Sequence, residues 1–119
     1  MGSLKYLFVW TTKRKKPVLV NEIKNRLEEI ITETLKNKNM KLHTLEVHPN
    51  HIRLCLSATP GISPHQITRI LKSKTSRTLR TEFPELLKLP SLWTRKYLAT
   101  TEKIHEDAVR KYIEKQPKN

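Results

Sequence analysis

The spacing of apolar residues changes several times along this chain, and each change predicts a new structural element. Residues 5–11 (Lys-Tyr-Leu-Phe-Val-Trp-Thr) are rich in aromatic and β-branched side chains, which predicts a buried strand. From Val20 to Leu35 the apolar residues recur at steps of three and four with charged residues between them, which predicts an amphipathic helix. We expect Asn21 to cap this helix and residues 37–39 to end it.

A β-hairpin is predicted next, because residues 41–47 and 52–58 flank the turn sequence His48-Pro-Asn-His51. Side chains alternate across a sheet, so the apolar even-numbered residues of the second strand should pack on the helices. His51 and Arg53 would then face outward from the open side of the sheet.

A second helix is predicted from Ser63 to about Thr81, with Ser63 as the cap, Pro64 in the first turn and Gln66 at the capping-box position. Its buried stripe is expected to contain Ile67, Ile70, Leu71 and Leu79. No acidic residue occurs between Gly61 and Thr81, and the outer face is expected to carry Arg69, Lys72, Lys74, Arg77 and Arg80. A face of one charge repels itself, which favours phosphate binding over a merely solvated surface.

The last third of the chain predicts an irregular segment over residues 83–92 and a further strand over residues 92–100. A final helix is expected from about His105 to Gln116 and is followed by Pro117. Its apolar positions at helical spacing are Ile104, Ala108, Val109, Tyr112 and Ile113. The element order predicts an α+β fold, a ferredoxin-like βαββαβ sandwich with an antiparallel sheet, helices on one face and an added C-terminal helix.

The net charge of the 119 residues is +13, because 24 lysines and arginines stand against 11 acidic residues. The length predicts one domain over residues 1–119. The positive potential favours nucleic acid as the partner, with general ribosome-like stickiness or an anionic membrane surface as alternatives. The basic run Lys13-Arg14-Lys15-Lys16 is explained equally well by a solvated loop and by phosphate contacts.

Three further features of the sequence indicate the cellular compartment of the protein. No apolar run approaches the roughly 20 residues that a membrane-spanning helix needs, so we expect no membrane insertion. The N-terminal residues show no secretion pattern. The single Cys55 cannot form an internal disulfide, and an inert thiol of this kind suits a reducing cytoplasm.

Candidate chemistry comes from Tyr112 and Gln116, which are four residues apart and so share one face of the last helix. A phenol can attack a phosphodiester if its proton is removed and the phosphate is polarised, usually by a divalent metal. Each residue alone has a simpler explanation: Tyr112 as a core or rim residue, Gln116 as a surface residue and His51 as a turn residue.

Six segments, in order along the chain, resemble the single-tyrosine transposases of the HUH superfamily, which act on single-stranded ends of small bacterial and archaeal insertion sequences. The segments are residues 6–19, 45–54, 71–77, 82–86, 92–97 and 109–116. They include the hairpin sequence Leu-Glu-Val-His-Pro-Asn-His-Ile-Arg-Leu and the helix sequence Val-Arg-Lys-Tyr-Ile-Glu-Lys-Gln. The resemblance covers nearly the whole chain.

By position, the resemblance implies that Tyr112 is the nucleophile and that His51 and Gln116 are ligands of Mg²⁺ or Mn²⁺. It implies a homodimer in which the C-terminal helix of one subunit completes the active site of the other. The implied substrate is a DNA hairpin near the transposon end with flanking single-stranded DNA, cut to leave a 5′-phosphotyrosine link and a free 3′-hydroxyl. A prokaryotic cytoplasm is the implied compartment.

The sequence departs from the family pattern of histidine, large apolar residue, histidine, since it has His51-Ile52-Arg53. Arginine stays protonated and has no lone pair, so Arg53 cannot bind a metal. One hypothesis is a silenced descendant that only binds DNA or acts as a regulator. Another is that Arg53 clamps the scissile phosphate, or that His48 offers a replacement nitrogen.

An RNA-binding module on the same kind of sheet is a further alternative, because such modules stack bases on aromatic side chains of the sheet. Tyr6, Phe8 and Trp10 share one face of the first strand. Core packing explains them equally well, and the aromatic RNA-binding signature is lacking.

Overall fold

A four-stranded antiparallel sheet forms the centre of the protein. The structure, a computed structural model, describes residues 4–101 and 106–117. The strands are β1 (Leu4–Thr11), β2 (Lys41–His48), β3 (His51–Ala58) and β4 (Leu98–Thr100), in the spatial order β2-β3-β1-β4. Every pairing is antiparallel. This is the predicted ferredoxin-like arrangement.

Three helices complete the described part of the fold: α1 (Asn21–Asn37), α2 (Pro64–Glu82) and α3 (Glu106–Glu114). The core contains buried residues of α1 and α2 together with one face of the sheet. Ile104 and His105, which the sequence assigns to the last helix, lie outside the described residues. No helix in residues 4–101 or 106–117 is long and apolar enough to cross a membrane.

Side-chain alternation in β3 agrees with the prediction. The even-numbered residues Ile52, Leu54 and Leu56 are fully buried, whereas His51 and Arg53 are only half-buried on the opposite face. The predicted facing of these side chains is therefore confirmed, and the sheet has one apolar face and one face that carries polar side chains.

The aromatic residues of β1 belong to the core. Tyr6, Phe8 and Trp10 are 8%, 0% and 0% exposed, and they pack in a chain of tilted and edge-on ring contacts. Such rings cannot receive bases, so the observation that suggested an RNA-binding sheet is explained by packing.

The two long helices begin differently. The Ser63 side chain accepts from the backbone N–H of Gln66, and the Gln66 side chain accepts from the N–H of Ser63, which confirms the capping box of α2. The prediction for α1 was wrong: Val20 is the capping residue, and Asn21 lies inside the helix with a left-handed φ of 54°. Asparagine tolerates this conformation, and no side-chain hydrogen bond caps the helix at Val20.

The fourth strand is shorter than the predicted residues 92–100, because only Leu98–Thr100 pair with β1. Trp93 instead forms an isolated bridge to Thr12 and donates from its indole Nε1 to the Thr75 hydroxyl at 2.9 Å. The preceding segment, predicted to be irregular, includes a 3₁₀ turn at Pro84–Lys88. Ile70, predicted to be buried, is only half-buried.

Candidate functional site

His51 begins β3 at the two-residue turn Pro49-Asn50, directly opposite His48. The two imidazole rings are stacked, with centroids 4.3 Å apart and an interplanar angle of 9°. His51 Nδ1 lies 2.8 Å from Asn50 Oδ1. An amide oxygen can only accept, so Nδ1 donates and Nε2 keeps its lone pair. Asn50 therefore fixes the tautomer, a role that sequence reasoning missed.

The environment of His51 keeps its imidazole neutral. Burial, followed by the neighbouring His48 and more weakly Arg53, lowers the pKa of His51 from 6.5 to about 4, although Glu46 opposes the shift. At neutral pH this ring is a hydrogen-bond acceptor at Nε2 and a potential proton acceptor.

A testable consequence is that protein stability should depend on pH through His51. The imidazole of the unfolded chain takes up a proton near pH 6.5, and that of the folded chain only near pH 4. The contribution of His51 to the free energy of unfolding should therefore be fully present above pH 6.5 and should be lost as the pH falls from 6.5 to 4. NMR titration of the His51 ring should give a midpoint near 4. Urea unfolding at a series of pH values gives the free energy of unfolding, and His51→Gln should reduce its decline between pH 6.5 and pH 4. An unchanged decline would contradict the assignment.

Arg53 lies two residues further along the same face and is paired across the strands with Glu46. Glu46 Oε1 is also 3.3 Å from His48 Nε2, so His48 shares this polar cluster. Within the described ranges, no group of three His, Cys, Asp or Glu side chains is placed to hold a metal ion. With a permanent cation at Arg53, the residues present do not fit the divalent ion that the resemblance implies.

A cleft of about 490 Å³ opens beside this cluster, between the open face of the sheet and α3. The sheet side is formed by Glu46, His48, Asn50, His51 and Arg53, and the α3 side by Val109, Arg110, Ile113 and Glu114. Residues separated by three and four positions present one face of α3 to the cleft. The terminal helix thus lies over the polar face of the sheet.

Tyr112 and Gln116 are not among the described residues that line this cleft. Tyr112 is half-buried, and its hydroxyl oxygen is shielded from solvent without a hydrogen-bond partner in the described parts of the chain. Burial raises the pKa of Tyr112 to about 12, which makes its proton harder to remove. Gln116 is 7% exposed, and its Nε2 donates to the Tyr112 carbonyl at 3.3 Å.

The predicted cationic surface of α2 is real for some residues and wrong for Lys72. Arg69, Lys74 and Arg77 are exposed. Lys72 turns inward, and its Nζ donates to three carbonyl oxygens of the segment before β4. Arg80 is half-buried and donates from Nη2 to the Leu89 carbonyl at 3.0 Å. Fewer cations of α2 therefore face solvent than the sequence indicates.

The basic loop after β1 lies beside the turn that carries His51. It contains a 3₁₀ turn at Lys13–Lys15, in which Arg14 and Lys15 have left-handed φ values of 59° and 53°. The Thr12 hydroxyl donates to the Lys16 carbonyl at 2.8 Å, and the Thr12 N–H donates to the Asn50 carbonyl at 2.9 Å. Thr12 thus joins the loop to the hairpin turn, a proximity that sequence spacing does not indicate.

Exposed cations beside a cleft that holds a neutral imidazole favour a nucleic-acid-binding class of protein. The family model for IS200-like transposases matches residues 1–116. The ISDra2 transposase TnpA of Deinococcus radiodurans is 31% identical over 118 residues, which cover 96% of this chain and 84% of that protein. The chain belongs to the IS200-like transposase family.

Solved structures agree with this assignment. The crystal structure of a Deinococcus radiodurans R1 protein described as a transposase matches with a TM-score of 0.91 and 31% identity, over 100% of this chain and 95% of that one. A REP-associated tyrosine transposase bound to a REP hairpin matches with a TM-score of 0.62 over 93% of this chain and 63% of that one. Its identity is 12%, so it supports the fold alone.

Proposed function

We propose that this transposase acts on hairpin-containing single-stranded DNA at transposon ends, which it cleaves and rejoins through a 5′-phosphotyrosine intermediate on Tyr112. The observation that carries the proposal is the neutral His51 imidazole in an open cleft beneath the C-terminal helix. The exposed cations of α2 and of the basic loop support a DNA partner, since they offer phosphate contacts at two places on the surface.

The proposed reaction uses groups of the chain itself. The Tyr112 oxygen attacks the scissile phosphorus, the bond from phosphorus to the 3′-oxygen breaks, and the phenol proton ends on that oxygen. His51 Nε2 has the lone pair needed to relay the proton. The Arg53 guanidinium pairs with the non-bridging phosphate oxygens and compensates their charge. The phosphotyrosine bond can later be attacked by a 3′-hydroxyl, which rejoins the strand.

We further propose that the protein works as a homodimer in which α3 of one subunit supplies Tyr112 to the His51 cleft of the other. Support comes from the position of Tyr112 and Gln116, which do not line the described cleft of their own subunit. A buried phenol with a pKa near 12 is a poor nucleophile, so cleavage requires a different placement of this helix.

A second function, DNA binding without cleavage, is favoured by Arg53. In that case Arg53 takes the place of the second metal-binding histidine of the family pattern and does not supply a substitute for the metal ion. The protein then holds transposon DNA or regulates its use. The presence of a covalent adduct separates the two functions. Its independence of Mg²⁺ or Mn²⁺ identifies the guanidinium clamp, because a guanidinium needs no divalent ion and a restored histidine does.

The deciding experiment incubates labelled single-stranded hairpin DNA with protein in Mn²⁺ or in EDTA and looks for a covalent adduct on a denaturing gel. We expect an adduct from the natural chain in both conditions, and a Mn²⁺-dependent one from Arg53→His. Arg53→Met, the matched control, removes the charge without adding an oxygen or nitrogen ligand and should give at least about tenfold less adduct.

If Arg53→His formed an adduct and the natural chain did not, the natural chain would be shown to be silenced. Reversible DNA binding without an adduct from any variant would favour the non-cleaving role. Preference for RNA over DNA of matched sequence would contradict both functions.

A further inference from the structure

We propose that Arg95 and Lys96 form a second phosphate-binding element, and that Lys72 is a positioning residue that holds them from beneath without contacting nucleic acid. The inference rests on the proposed DNA binding but concerns residues outside the His51 cleft. It also gives Lys72 a role different from that of the exposed cations of α2.

Lys72 projects from α2 toward the segment that precedes β4. Its Nζ donates to the carbonyl oxygens of Thr94, Arg95 and Lys96 at 2.8, 3.2 and 3.0 Å. An ammonium group has three protons to donate. These three consecutive carbonyls therefore account for the hydrogen-bonding capacity of Lys72.

Two aromatic rings flank the Lys72 ammonium. The ring centroids of Trp10 and Tyr97 lie 5.7 and 5.8 Å from Lys72 Nζ, within the range of cation–π contacts. Burial lowers the pKa of Lys72 to about 8. A charge so enclosed and so fully bonded is not available to a phosphate, although it determines the path of the backbone above it.

The segment held by Lys72 displays its cations outward. The Arg95 and Lys96 side chains are exposed, and in the described part of the chain neither forms an ion pair. These carbonyls face the Lys72 ammonium immediately before β4, which begins only at Leu98. The departure from regular strand pairing thus creates the outward-facing pair of charges.

The pair adjoins the basic loop and, through it, the His51 turn. The Lys13 N–H donates to the Leu92 carbonyl at 2.8 Å, and the Thr94 N–H donates to the Thr11 carbonyl at 3.1 Å. The end of β1 therefore lies between this segment and the Asn50 carbonyl, which accepts from Thr12. Six cations border this end of the sheet: Lys13, Arg14, Lys15, Lys16, Arg95 and Lys96. We infer that a DNA strand leaving the cleft crosses them.

The first test compares Arg95→Gln/Lys96→Gln with the matched control Lys36→Gln/Lys38→Gln, which removes two exposed charges just before the start of β2, at the opposite end of the sheet. Affinity for labelled single-stranded hairpin DNA should fall about tenfold in the first variant and less than twofold in the control. The slope of log affinity against log salt should decrease by about 0.7 for each phosphate that the variant no longer neutralises. Equal effects of the two variants would overturn the proposal.

The second test is a double-mutant cycle with Lys72→Met. In the natural background this change should weaken binding about fivefold. In the Arg95→Gln/Lys96→Gln background it should have an effect below twofold and leave the salt slope unchanged. The same loss of affinity in both backgrounds would show direct DNA contact by Lys72 and overturn the positioning role.

These outcomes are separable from failure of the proposed function. Absence of DNA binding by the natural chain would reject the function itself, whereas normal binding with an unaffected Arg95→Gln/Lys96→Gln variant would reject only the inference. Thermal unfolding of each variant monitors folding. If Lys72→Met does not fold, the surface variant alone still decides whether Arg95 and Lys96 bind phosphate.

Discussion

Tyr112→Phe is expected to abolish the covalent protein–DNA adduct while leaving DNA affinity within about twofold of the natural chain. Phenylalanine keeps the ring but has no oxygen to attack phosphorus. The hydroxyl that is removed is buried without a partner among the described residues, so the change removes no observed hydrogen bond and should not destabilise the fold. A denaturing gel measures the adduct, and fluorescence anisotropy measures the affinity.

Tyr97→Phe is the matched control, because Tyr97 is also half-buried but packs near Lys72 on the helical side of the sheet. It should retain the adduct. If Tyr112→Phe still formed an adduct and Tyr97→Phe did not, the nucleophile would be assigned wrongly.

Mixing of variants extends this test to the dimer. When Tyr112→Phe and His51→Ala subunits are combined, exchange of helices between subunits leaves one composite site with both groups intact, so cleavage should reappear. A mixture without activity would show that each subunit uses its own α3.

Charge reversal on α2, as Arg69→Glu, Lys74→Glu and Arg77→Glu together, is expected to weaken hairpin-DNA binding by at least about a hundredfold. Arg69 and Arg77 are two helical turns apart, and Ser73 lies between them where two surface grooves adjoin. A row of this kind can contact successive phosphates of one strand. Binding isotherms across a range of salt concentrations should also show a reduced salt slope.

The control for charge reversal is Lys36→Glu, Lys38→Glu and Lys41→Glu, which changes the net charge by the same amount at the end of α1 and the start of β2. If binding depends only on total charge, the two triple variants will bind equally weakly, and the assignment of the α2 surface will be wrong. A selective loss of binding in the α2 variant would locate the DNA.

The fold was predictable wherever one residue type recurred at a regular spacing. Period-two alternation in β3 placed His51 on the open face, and the serine, proline and glutamine before α2 predicted its start. The cap of α1 was not predictable from residue type alone, because Asn21 takes a left-handed conformation inside the helix. The strand predicted over residues 92–100 begins only at Leu98, and the segment before it accepts hydrogen bonds from a distant helix.

The candidate site was predictable in part for the same reason. Sequence pattern could assign His51 and Arg53 to one face, since their spacing is local. It could not show that Asn50 fixes the His51 tautomer or that Thr12 joins the basic loop to the turn. Those contacts depend on how the first strand meets the hairpin.

By itself, the sequence determined the order of elements, the polar face of β3, the excess of positive charge and the kinship with IS200-like transposases, because each depends on residue types at short spacing or in a fixed order. Tertiary structure alone decided that Lys72 points inward, that the Tyr112 hydroxyl is shielded from solvent and that Arg95 and Lys96 are displayed beside the basic loop. The direction of a long side chain is set by the carbonyls and rings it meets, and those come from segments remote in the chain.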